Sequence, residues 1–181
     1  MISTGKNWTL FLDRDGVINI EKKADYIHHW DEFVFYPGAA KNVALLSAMF
    51  GKTIIVTNQK GIGKGVTKQE DVEDIHRRLK DAIIAEGGHI DGIYYCDATD
   101  NDAPCRKPNN GMALQAKQDF PDIDFSRSLM VGNNTSDMQF GRSLGMHTVL
   151  LTTTRTADSV EAELVDTVLA DLAAMVAEMG L

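Results

Sequence analysis

Apolar residues in this chain fall into short continuous runs that alternate with longer amphipathic stretches. Runs at 9–12, 53–57, 90–95, 128–131, 147–151 and 167–169 are flanked by polar or glycine-rich turns and read as buried strands. Between them, Val43, Leu46 and Phe50 mark one face of a helix that begins at Pro37-Gly38 and ends at Gly51. Val72, Ile75, Leu79 and Ile83 mark a second helix, opened by the capping box Thr67-Lys68-Gln69-Glu70 and running to Gly87-Gly88. Further helices are expected at about 109–120, from the turn 132–137 to Gly145, and from about Asp171 onward. Strands alternating with helices predict an α/β fold: a central, mostly parallel sheet with helices on both faces and right-handed crossovers.

Two stretches carry neither period. Residues 20–36, with Tyr26, His28, His29, Trp30 and Phe33 among many charges, read as an ordered loop or small flap over a site. His28 and His29 lack a Cys or third His at ligand spacing, so a metal role is the weaker reading for them. Residues 96–108 are rich in Asp, Asn and Pro and must be loop. Both are small insertions in what the length of 181 residues suggests is a single domain, 1–181.

Composition narrows the function classes. A net charge of −8 argues against a nucleic-acid or anionic-membrane surface. No run approaches a membrane span, and the polar start of the chain has no apolar signal core. Two cysteines, Cys96 and Cys105, are too few for a disulfide scaffold and suit a reducing compartment, so a cytoplasmic protein is expected. Oligomeric state is not legible; a monomer or weak dimer fits.

The candidate chemistry starts at Asp13 and Asp15, which end the first apolar run just before Gly16. Residues i and i+2 of an extended segment point the same way. Ligands in open parallel sheets bind beyond the carboxyl ends of the strands. Two carboxylates facing one small volume repel unless a cation lies between them, and hard oxygen donors suit Mg²⁺. An Asp can also be a nucleophile and its neighbour a general acid–base. Other strand ends add polar groups: Thr57, Lys107 in the following loop, and Asn133 with Asp137. The stretch 57–65, with three glycines and two lysines in its last six residues, is either an anion-approaching loop or a plain crossover. Together these groups suit phosphoryl transfer, which depends mostly on positioning and charge neutralisation.

Phe11-Leu12-Asp13-Arg14-Asp15-Gly16-Val17-Ile18-Asn19, Thr57-Asn58-Gln59, Cys105-Arg106-Lys107-Pro108 and Val131-Gly132-Asn133 through Asp137 resemble, in order, the four motifs of the haloacid dehalogenase superfamily. The nearer likeness is to its small, nearly capless phosphatases, the heptose 1,7-bisphosphate phosphatase and histidinol-phosphatase group. The resemblance implies a Rossmann-like three-layer sandwich without a large cap, Mg²⁺, and a small phosphorylated metabolite, such as a sugar phosphate, as substrate. It implies Asp13 as nucleophile and Asp15 as acid–base. Thr57, Asn58 and Lys107 become phosphate-side residues, Arg106 and Lys64 substrate contacts, and Asp13, Asp15, Asn133 and Asp137 the metal shell. Two departures stand out. Asn133 occupies a position usually held by Asp, which removes one charge from the metal shell and leaves a weakened or inactive ligand-binding relative as the alternative reading. Ala98 and Ala103 stand where many relatives have zinc ligands, so no structural zinc is expected.

Overall fold

The first strand, β1 (Gly5–Leu12), ends in residues with no outward polar face: Leu10, Phe11 and Leu12 are all fully buried. A strand apolar on both faces needs neighbours on both edges and helices on both sides. In the computed structural model, which describes residue 2 and residues 4–181, β1 has both. Met1 and Ser3, within the polar start read as lacking a signal core, lie outside the described residues.

β1 pairs in parallel with β2 (Phe50–Asn58) on one edge and β4 (Ser128–Gly132) on the other. β3 (Gly92–Cys96) extends the sheet beyond β2, and β5 (His147–Leu151) and β6 (Thr167–Leu169) extend it beyond β4. The order is β3-β2-β1-β4-β5-β6, parallel throughout. The chain winds outward from β1 in one direction, then returns to wind outward in the other. The crevice between β1 and β4 is the switch point where such sheets bind ligands.

Leu10 and Leu12 face a layer built from α1 (Ala39–Met49), α3 (Gln69–Ala85) and α6 (Leu172–Glu178). Phe11 faces the opposite layer, where Met112 and Ala113 of α4 (Gly111–Asp119) meet Phe140 of α5 (Thr135–Ser143). Among the described residues no helix is long and apolar enough to cross a membrane.

Several local expectations are corrected. Phe50 does not close the first helix; its backbone is extended, with φ −109 and ψ 159, and it opens β2 opposite Gly5. Gly51 is therefore no helix stop. A Cβ there would overlap the Lys6 carbonyl, so the glycine permits two strands to approach. The Thr67 capping box does not form: α3 has no side-chain cap, and the Thr67 hydroxyl lies 2.8 Å from His28 Nδ1 instead. The segment at 57–65 folds into the four-residue helix α2 (Lys60–Gly63). A Cβ on Gly61 would collide with Thr67 and Tyr26, and one on Gly63 with the Asp97 carbonyl, so these glycines serve close packing. The third strand starts at Gly92 because Asp91 is diverted; its carboxylate accepts from the Thr53 N–H at 2.7 Å. Cys96 and Cys105, expected as thiols, are joined as a disulfide. The loop returns on itself, with the Gly111 N–H donating to the Pro104 carbonyl, and the two Cα atoms lie 5.4 Å apart, within disulfide reach.

Gly51→Ala should force β1 and β2 apart at their start and lower stability by about 1–3 kcal/mol. Chemical denaturation reads this directly; an unshifted midpoint would mean that the contact with Lys6 relaxes freely.

Candidate active site

Asp13 directly follows β1, and its N–H still donates to the Val131 carbonyl of β4 at 2.9 Å. The side chain is thereby delivered to the crevice at the switch point. Its Oδ1 accepts from the Arg14 N–H at 2.7 Å and lies 2.9 Å from Lys107 Nζ. The Lys107 ammonium, only 4% exposed, also donates to Asp137 Oδ1 at 2.7 Å and to the Val56 carbonyl at 2.8 Å. Two of its three donors are thus committed by hydrogen bonds, with Asp13 beside it as an ion pair. Asn58 at the end of β2 holds the loop that carries Lys107. The Lys107 N–H donates to Asn58 Oδ1 at 3.0 Å, and Asn58 Nδ2 donates to the Lys107 carbonyl at 3.1 Å.

Asp137 is more committed than its expected metal role requires. While Oδ1 takes Lys107, Oδ2 accepts from the N–H groups of Asn133 and Asn134 at 3.1 and 3.0 Å, capping α5. Its geometry is that of a bracket between the helix start and Lys107.

Asp15 faces a different set of donors. Arg14, fully buried, reaches both of its oxygens through Nη2 at 3.0 Å. Asn19 Nδ2 donates to Oδ1 and Gln59 Nε2 to Oδ2, each at 2.9 Å. Gln59 also donates to the Thr57 hydroxyl at 2.8 Å, which ties the second strand end to Asp15. Behind Arg14, its Nη1 lies 3.0 Å from His76 Nε2 on α3. A guanidinium can only donate, so that nitrogen accepts and His76 is the neutral tautomer with its proton on Nδ1.

The charges respond accordingly. Burial, reinforced by the neighbouring Asp137 charge, pushes Asp13 up to about 7 despite the pull of Lys107. For Lys107 burial works against the charge, but Asp13 and Asp137 outweigh it and hold its pKa above the ordinary value. For Asp15 burial also opposes ionisation, yet Arg14 and the hydrogen bonds from Asn19 and Gln59 keep it below the usual carboxylate range. Burial and the Arg14 charge push His76 down to about 3.

One cavity opens onto this cluster, lined by Asp13, Asp15, Thr57, Asn58, Lys107 and Asp137. The segment 20–36 forms its outer wall through Glu21, Lys22, Asp25, Tyr26 and Ile27. Lys64 and Arg106 are not on that wall. Lys64 Nζ lies 5.3 Å from the centre of the Tyr26 ring, and Arg106 Nε donates to Asn101 at 3.3 Å. Asn133 is fully buried beneath, against Gly16, where a Cβ would overlap its amide. Sequence reasoning missed Arg14, Asn19, Gln59 and His76. Arg14, Asn19 and Gln59 stood inside the motifs, but nothing local marked their partners.

The HAD-hydrolase-like family pattern matches residues 104–175. The D-glycero-alpha-D-manno-heptose-1,7-bisphosphate 7-phosphatase of Burkholderia mallei is 39% identical over 163 residues, 86% of this chain and 85% of that protein. The protein of the same name from Mycobacterium bovis is 38% identical over 141 residues, 77% of this chain and 74% of its own length. The chain belongs to the haloacid dehalogenase-like phosphatases. The fold agrees: the D,D-heptose 1,7-bisphosphate phosphatase of B. bronchiseptica, solved with magnesium and phosphate, superposes with a TM-score of 0.83 at 29% identity, covering 95% of this chain and 97% of that one.

Whether this phosphatase can hold Mg²⁺ turns on its oxygen donors. Among the described residues no three His, Cys, Asp or Glu side chains gather closely enough to hold a metal ion. Asp137 is already occupied, as described above. Asp13 and Asp15 line the cavity, and the Asn133 amide abuts the Asp15-Gly16 turn, with its Oδ1 held by a single amide donor, Asn134 Nδ2, at 3.2 Å. Carboxylate, amide and backbone oxygens are the hard donors Mg²⁺ takes, so the residues fit, with one carboxylate fewer than the resemblance implies.

Because burial and the Asp137 charge push Asp13 up to about 7, a Mg²⁺ ion held through Asp13 would have to displace its proton below that pH. Mg²⁺ affinity should therefore rise as pH increases through about 7, while Asp15, held ionised, adds no dependence there. Titrations at about pH 6 and about pH 8 test this; equal affinities would contradict it.

Proposed function

We propose that this phosphatase hydrolyses a phosphomonoester of a small sugar, of the heptose 1,7-bisphosphate class, through a phosphorylated Asp13. The observation that supports the reading most is the convergence of Asp13, Asp15, Thr57 and Lys107 on one cavity in a chain 39% identical to a heptose bisphosphate phosphatase.

Asp13 attacks phosphorus in line with the ester oxygen, forming an acyl phosphate as the P–O bond to the sugar breaks. Thr57 and Lys107 hold the phosphate oxygens, and Lys107 offsets the charge that develops. Mg²⁺, when bound through the oxygens of Asp13, Asp15 and Asn133, supplies further neutralisation of the phosphate and the nucleophile. Asp15 gives a proton to the departing alkoxide and then takes one from the water that hydrolyses the acyl phosphate. At rest Arg14 keeps Asp15 ionised. A phosphate dianion beside it opposes that field and raises its pKa, so the same carboxyl can accept a proton and return it. The wall of residues 20–36, bearing Glu21, Lys22, Asp25 and Tyr26, faces the sugar and sets the choice of substrate.

Phosphate release from a panel should be greatest for heptose 1,7-bisphosphate, tested as both anomers beside histidinol phosphate and other sugar phosphates. It should be lost with EDTA and fall more than about a thousandfold in Asp13→Asn. Metal-independent release, or full activity in that variant, would end this reading.

Asn133 favours a second reading, in which the chain is a weakened relative that mainly binds a phosphorylated ligand. Asn133→Asp separates the two. A rise in turnover and Mg²⁺ affinity of about tenfold or more supports the weakened relative; little change supports a competent enzyme.

A further inference from the structure

Gln59 stands between the acid–base Asp15 and the phosphate-holding Thr57, yet no step of the mechanism passes through it. It is buried and lines the same cavity as both. Its Nε2 donates to Asp15 Oδ2 at 2.9 Å and to the Thr57 hydroxyl at 2.8 Å. We infer, on the proposed role of Thr57 in holding the phosphate, that Gln59 is a positioning residue. It aims the Thr57 O–H at the substrate phosphate, with the Asp15 carboxylate as its anchor.

Each link is fixed by a group that has no choice of role. At rest the Asp15 carboxylate takes Arg14 Nη2 on both oxygens at 3.0 Å, and an ionised carboxylate can only accept. The end of the Gln59 amide that meets it is therefore the NH₂ end. Turned over, the amide would set its carbonyl oxygen against Oδ2, two acceptors with no hydrogen between them. The amide nitrogen carries two hydrogens and offers no lone pair, so both contacts of Nε2 are donations. Thr57 Oγ1 is thus the acceptor in its contact with Gln59, although a hydroxyl could play either part. Its single hydrogen is left for another direction, and among the described residues the hydroxyl has no second hydrogen-bond partner. The base of the side chain is fixed as well, because the Gln59 N–H donates to the Cys96 carbonyl at the end of β3 at 2.7 Å. Without the amide the Thr57 hydroxyl would turn freely about its C–O bond, and fewer of its orientations would serve the phosphate.

The test is a double-mutant cycle read as kcat/KM for p-nitrophenyl phosphate with Mg²⁺ present. Gln59→Met keeps the length of the side chain and removes both donors; it should cost about tenfold or more. In a Thr57→Ser background, which keeps the hydroxyl, that cost should persist. In a Thr57→Val background, which keeps the shape and lacks the hydroxyl, it should be smaller by about threefold or more, since only the contact with Asp15 is left to lose. An equal loss in all three backgrounds, or none in the parent, overturns the assignment. A purely structural role predicts that equality, because it is blind to the hydroxyl at 57. Full activity in Thr57→Val overturns the assignment too, by taking Thr57 off the phosphate. If Gln59→Met does not fold, Gln59→Ala in the same backgrounds makes the same comparison. The probe carries no sugar, so failure of the heptose reading alone would appear as no release from heptose 1,7-bisphosphate while the cycle keeps its outcome.

Discussion

A single buried ammonium holds this site together. Lys107 Nζ lies between Asp13 and Asp137, with side chains 9% and 1% exposed, and also donates to a main-chain carbonyl. Two carboxylates that close would repel strongly in a low-dielectric interior, and one of them would stay protonated without a shared cation. Lys107 itself sits in a loop with no regular structure, so the reciprocal hydrogen bonds from Asn58 replace the rigidity a strand would give. Strand ends β1 and β2, the loop after β3, and the start of α5 therefore meet at one charged atom.

Beside it a second charge pair is built on different terms. Arg14 neutralises Asp15, and its far side is satisfied by a histidine that burial and the guanidinium keep neutral. Counting the buried cluster, the carboxylates of Asp13, Asp15 and Asp137 stand against the cations Lys107 and Arg14, an excess of one negative charge. A divalent cation would reverse the sign of that buried cluster, so that the floor of the cavity would attract a phosphate instead of repelling it. On the proposed mechanism, metal and phosphate thus depend on each other through the charge of the cavity as well as through shared contacts.

The outer wall follows another rule. Residues 20–36 contain only one short 3₁₀ turn, Trp30–Glu32, yet they are not loose. Trp30 stacks on Phe33 with ring centres 5.1 Å apart, and His28 reaches Thr67 across the α2–α3 corner. Gly61 has no side chain because Tyr26 and Thr67 occupy the space. The glycines of 57–65 and the histidine of the flap thus answer to each other. The packing thus accounts for the glycines as close-contact positions and for His28 as a partner of Thr67.

How much of this was legible depends on distance along the chain. The strands, most helices, the parallel character of the sheet and the placing of Asp13, Thr57 and Asn133 at strand ends and Lys107 in the loop after the third strand came from local patterns: short apolar runs, turn residues and helical spacing. These express the backbone's own preferences and the burial of one face, which neighbouring residues determine. Phe50, Gly51 and Thr67 were misread because partners far along the chain, Lys6 and His28, overrode a locally reasonable signal. The partners that set the chemistry were not legible at all. His76 lies 62 residues from Arg14, and Asp137 30 from Lys107. Their residue types are ordinary, and only folding brings them within hydrogen-bond distance. The sequence alone therefore determined the sheet and the residues offered at its rim. The tertiary structure decided which oxygens stay free and which charges are cancelled, because those outcomes depend on distances that no local pattern encodes.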